Sequence, residues 1–99
     1  MAITIALDEL LSTGWSGLDT TGCSYDDTGR AFPSVQRIHQ EFASSGFDLT
    51  IAHIPAFNCY RAQWCEAGAT TIAGSTVSNS QEEAAIHALA QLRRSLATA

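Results

Sequence analysis

Residues 47–66 read FDLTIAHIPAFNCYRAQWCE, and this stretch decides the fold. In Phe47–Ile54 the residues Phe47, Leu49 and Ile51 alternate with Asp48, Thr50 and Ala52, the period of two of a strand with one buried face. Pro55 ends that strand, and Ala56-Phe57-Asn58 makes the turn. In Cys59–Glu66, Tyr60, Ala62 and Trp64 share one face, and Cys59, Arg61, Gln63 and Cys65 share the other. Ala67-Gly68-Ala69 turns the chain again, and Thr70–Val77 is predicted as a third strand, interrupted by Gly74. Connections this short imply an antiparallel meander.

Helices flank the meander on both sides in sequence. Upstream, Phe32, Val35, Ile38 and Phe42 form one apolar stripe, which predicts a helix starting between Gly29 and Pro33 and running to Ser44 or Ser45. Pro33 would then sit in the first turn, Asp27 or Thr28 would cap the helix, and Gly46 would stop it. Downstream, Ser80 followed by Glu83 spells a capping box, Glu82 and Glu83 suit the helix N-terminus, and Arg93 and Arg94 suit its C-terminus. Ala85, Leu89, Leu92 and Leu96 supply the predicted core stripe of this last helix. Ile3, Leu7, Leu10 and Leu11 predict a further short helix over residues 3–12. Between it and Gly29, four glycines among Ser, Thr and Asp read as a long loop with Trp15 and Leu18 as apolar anchors.

The expected architecture is thus a single α+β domain: a three-stranded antiparallel meander with two flanking helices (α-β-β-β-α), after a short N-terminal helix and loop. Residues 1–29 form an acidic N-terminal arm and residues 30–99 the α-β-β-β-α unit. At 99 residues and 45% hydrophobic the chain can bury one modest core. It carries five arginines, no lysine and ten acids, for a net charge of -5. The imbalance lies wholly in residues 1–29, where Asp8, Glu9, Asp19, Asp26 and Asp27 face no basic residue; from residue 30 onward five arginines balance five acids. Direct nucleic-acid binding needs Lys and Arg to displace counterions from phosphates and is not expected. The same balance disfavours a membrane surface, no segment approaches the ~20 apolar residues of a span, and the N-terminus has no basic region before its apolar residues. With three cysteines and no C-x-x-C pair, the expectation is reduced thiols in a cytoplasm.

The order helix, three-strand meander, helix over residues 30–96 resembles the double-stranded-RNA-binding domain. Where that family sets a basic cluster against phosphates, this chain has Ser80-Gln81-Glu82-Glu83, so that mode of RNA binding is not expected. A second resemblance rests on Tyr25-Asp26-Asp27 ahead of the first main helix, a sheet carrying Trp64, and Ala84-Ala85-Ile86-His87-Ala88-Leu89 in the closing helix. These features resemble the small phage proteins called ABA-sandwich domains, over roughly residues 24–94. The resemblance implies a phage or prophage origin and, by association, a non-enzymatic inhibitor of host defence, anti-CRISPR proteins among them.

For chemistry, Cys59 and Cys65 lie six residues apart on one strand, ~20 Å, too far to ligate one zinc together. One of them could meet His53 across the hairpin as a thiolate–imidazole pair, although no protease motif accompanies it. No metal site, cofactor or phosphate loop is expected: there is no H-E-x-x-H, no calcium-loop spacing and no lysine. The expected partner is a host protein complex with a basic surface, met by Asp19, Asp26, Asp27, Trp15 and Tyr25 on the arm or by Arg61 and Gln63 on the polar sheet face. If both main helices cover the Phe47/Tyr60/Trp64 side, that polar face is left either to the N-terminal helix or to a second chain, and a homodimer through it is the competing expectation.

Overall fold

The computed structural model describes residues 2–15, 23–25 and 31–98. Eight elements follow in chain order: helix α1 (Ala2–Leu11), strands β1 (Cys23–Tyr25) and β2 (Ala31–Pro33), helix α2 (Val35–Ser44), strands β3 (Phe47–Ile54), β4 (Cys59–Glu66) and β5 (Gly74–Ser78), and helix α3 (Gln81–Thr98). The α+β order with an antiparallel β3-β4-β5 meander is the one expected. Among the described residues, no helix is long and apolar enough to cross a membrane.

The register gives the meander two unlike faces. Leu49 pairs with Trp64, Ile51 with Ala62 and His53 with Tyr60; on the far side of β4, Trp64 pairs with Gly74 and Tyr60 with Ser78. These residues share the face that α2 and α3 cover. Leu49, Ala62 and Trp64 are buried there with Ile38 and Phe42 of α2 and Ile86, Leu89 and Leu92 of α3. Phe42 meets Trp64 edge to face, ring centroids 5.6 Å apart, a geometry that aligns the positive edge of one ring with the negative face of the other. Burying side chains of this size stabilises by roughly 1.5–3 kcal/mol each.

Helix α1 settles against α3, away from the other face of the sheet. Ala6, Leu7 and Leu10 are fully buried and join the same core, whereas Leu11, expected in the stripe, is partly exposed. The seam carries polar ties as well: Arg93 Nε donates to Thr13 Oγ1 at 3.0 Å, and Arg94 meets Glu9 at 3.3 Å. His87 lies 3.4 Å from Glu9 and 3.9 Å from Glu83.

Two boundaries and one core residue differ from the sequence expectation. Helix α2 begins at Val35, because the Ser34 hydroxyl accepts from the Arg37 N–H at 3.2 Å and Ser34 takes an extended conformation. Phe32 and Pro33 are therefore not its first turn; they form β2, paired with β1 in a hairpin of their own, and both are buried. The third strand begins at Gly74 instead of Thr70. Leu96, placed in the core stripe of α3, is exposed. The C-terminal stop of α2 is as expected: Gly46 takes φ +85, a conformation that favours glycine, and its carbonyl accepts from Ala67 N–H at 2.9 Å.

Candidate functional site

The sheet face not covered by α2 and α3 is built from alternate residues of β3, β4 and β5. The register brings Thr50, Gln63 and Ser75 into one row and Ala52, Arg61 and Val77 into the next. Thr50, Ala52, Arg61, Ser75 and Val77 are all exposed, and Gln63 is half-buried. Antiparallel sheets commonly leave one face in water, with polar residues there. Val77, 56% exposed, departs from that pattern. At the end of the hairpin beside this face, Phe57 is 80% exposed. Its turn is fixed by Phe57 N–H to Ile54 C=O and Asn58 N–H to Pro55 C=O, both 3.3 Å, with Asn58 at φ 49. Asn58 Oδ1 also lies 3.4 Å from His53 Nε2, tying the tip to the strand. A four-residue turn has no core to bury a phenyl ring in, which is the signal by which Phe57 could have been picked from sequence.

The residues singled out from sequence do not gather into one site. Arg61 and Gln63 sit two apart on the open face of β4. Trp15 is 6% exposed and belongs to the helical side: its indole N–H donates to Glu41 Oε2 at 3.3 Å, and the Arg37 guanidinium lies 5.7 Å from its ring centroid. Arg37 also pairs with Glu41 at 3.3 Å and donates to Cys23 Sγ at 3.4 Å, so one arginine of α2 holds both the Trp15 segment and the β1–β2 hairpin. Trp15 thus leaves little surface for a partner. Tyr25, on the same hairpin, is 62% exposed. Asp19, Asp26 and Asp27 lie outside the described residues. Of the other two N-terminal acids, Asp8 is exposed and Glu9 is engaged by His87 and Arg94.

The register also answers the thiolate–imidazole question. His53 stands opposite Tyr60 on the helix-covered face, their rings 4.9 Å apart, while Cys59 stands opposite Ile54 on the other. The two side chains point away from each other through the sheet, and the pair does not form. Cys65 shares the face of Cys59. All three cysteines are free thiols, and among the described residues no group of three or more His, Cys, Asp or Glu side chains could hold a metal ion.

No known family, curated protein or solved structure matches the chain. Its surface chemistry therefore bears the weight of any functional reading. A cavity of about 370 Å³ opens where the C-terminal half of α3 overhangs the sheet, between Phe47 and Trp64 on one side and Gln91 and Leu92 on the other, with Glu66 at its rim.

Proposed function

We propose that this chain is a non-enzymatic binding protein, phage-encoded, that inhibits a nucleic-acid-handling host defence complex of the anti-CRISPR type by occupying a basic surface. The observation that carries the binding role is the one-sided construction of the meander. Three helices pack on one side or on one another, and the opposite face presents Arg61 and Gln63 beside exposed Val77, with Phe57 projecting at the hairpin end. Exposed apolar and aromatic groups set among polar ones are what a contact surface needs, since aromatic anchors dominate binding energy while the polar rim sets register.

The class of partner follows from charge. With five acids and no basic residue in its first twenty-nine residues and no lysine anywhere, the chain repels phosphate and attracts the arginine- and lysine-rich surfaces on which nucleic acid rests. The inhibitor reading adds the likeness of the Tyr25-Asp26-Asp27 and Ala84–Leu89 segments to small phage proteins.

The test is affinity capture from a bacterial host, followed by titration of the captured complex against nucleic acid and salt. The chain should compete with nucleic acid. Replacing Asp19, Asp26 and Asp27 together by Asn should weaken binding and flatten its salt dependence. Unchanged affinity of that variant at low salt removes the electrostatic part, and failure to compete removes the inhibitor role.

The second reading is self-assembly through the same open face, favoured by Val77 standing exposed on edge strand β5. Light scattering over a range of concentrations separates the two, because a concentration-independent monomer leaves no room for assembly.

A further inference from the structure

We infer that the cavity between α3 and the end of the sheet is a receptor for a single arginine side chain of the basic partner; this rests on the binding reading above. Phe47 and Glu66 face each other across the β3–β4 ladder, and Trp64 lies two residues along β4 from Glu66 on the same side. Half-buried Phe47, the small exposed part of Trp64 and Leu92 of α3 contribute apolar lining to the cavity, beside the polar groups of Glu66, Gln91 and Ser95. At about 370 Å³ it stands at the small end of ligand sites, roomy enough for one long side chain and some of its water.

Its electrostatics select the sign of the occupant. Among the described residues Glu66 has no ion-pair partner, and no other charged side chain lines the cavity. The arginines that could have neutralised it are committed elsewhere: Arg93 bonds Thr13, and Arg94 pairs with Glu9 on α1. The cavity also lies beside the last two turns of α3, where Gln91 and Ser95 contribute to the lining. Helix C-termini carry partial negative charge, and the last turn of α3 has no basic residue to offset it. A carboxylate, a helix C-terminus and aromatic lining together define a site for a cation with an apolar body. A guanidinium fits it better than an ammonium, because it is planar, weakly hydrated and able to lie against a ring while it bonds a carboxylate.

The experiment titrates N-acetyl-arginine-amide into the full ¹⁵N-labelled chain and follows its two indole N–H signals. The Trp64 signal should move saturably and the Trp15 signal, engaged with Glu41, should stay in place. N-acetyl-citrulline-amide, the neutral isostere, should bind at least about fivefold more weakly, and Glu66→Gln should bring arginine down to the citrulline level. A silent Trp64 signal, equal binding of arginine and citrulline, or an unaltered response in Glu66→Gln overturns the inference. Glu66 is exposed, so the variant folds, and an unchanged spectrum away from the cavity checks this. The two readings fail separately. Capture of a basic host complex by a protein whose Trp64 ignores arginine ends the cavity proposal alone, whereas arginine in the cavity without any captured partner ends the inhibitor reading alone.

Discussion

Trp64 and Gly74 face each other across the β4–β5 ladder with the indole lying directly over the glycine, so that a Cβ at position 74 would overlap ring carbons Cζ2 and Cε2. The ring cannot move aside freely, because Phe42 packs on it edge to face and it is buried. This contact explains why the strand starts at Gly74: β5 can approach β4 at this level only without a side chain. Gly74→Ala should therefore destabilise by about 1–3 kcal/mol through overpacking, against a gain of at most ~1 kcal/mol from reduced chain entropy. Urea unfolding measures it. A second variant, Trp64→Phe with Gly74→Ala, should recover part of the loss by freeing the space, and absence of any recovery would place the strain elsewhere.

The start of α2 makes a second test. Ser34 is the cap that the structure assigns, its hydroxyl accepting from Arg37 N–H. Ser34→Ala should cost about 1 kcal/mol, and Ser34→Asp should be nearly neutral because Asp caps as well. In a domain of this size that loss lowers the melting temperature by roughly 4–8 °C. Equal melting temperatures for Ser34→Ala and the unaltered protein would mean that the helix starts elsewhere.

What could be read from the sequence, and what could not, separates along local and non-local lines. Strands β3 and β4 are legible to the residue because alternation, Pro55 and the two short turns all agree. The start of α2 is not, since Phe32 falls three residues before Val35 and so continues the helical stripe on paper. Only the pairing of residues 31–33 with residues 23–25 removes it, and that pairing is tertiary information. The same division runs through the site. Arg61 and Gln63 on one face follow from the period of two, but the choice of α1 between α3 and the open face depends on how three helices share one core. The cavity was invisible because its walls come from β3, β4, the start of β5 and α3, which no motif links.

The N-terminus of α3 holds half of the capping box its sequence spells. Glu83 N–H donates to Ser80 Oγ at 3.2 Å, but the Glu83 carboxylate turns along the helix toward His87 one turn on, and its Oε2 is buried without a hydrogen-bond partner. Ser80→Ala should thus cost about 1 kcal/mol. Glu83→Ala should cost less, because the loss of its favourable place near the helix N-terminus is offset by removal of a buried, unsatisfied carboxylate oxygen. Denaturant midpoints of the two variants decide it, and a larger loss for Glu83→Ala would show that the carboxylate is satisfied in solution.

Phe57 offers the sharpest separation of fold from function. At 80% exposure its ring touches little of the protein, so Phe57→Ala should leave stability within about 0.5 kcal/mol. An aromatic ring held in water on a turn braced by Asn58 can recover its burial only against another molecule. If the hairpin end contributes to the partner contact, Phe57→Ala should weaken binding of the captured complex by tenfold or more, the scale of an aromatic hot spot. Val77→Asp, in the next strand but one, should do the same if the contact extends across the open face, and should leave binding unaltered if it is confined to the tip. Titration of the two variants against the same partner therefore maps the contact, and two variants that both bind like the unaltered protein would move it off this face to the acidic N-terminal residues.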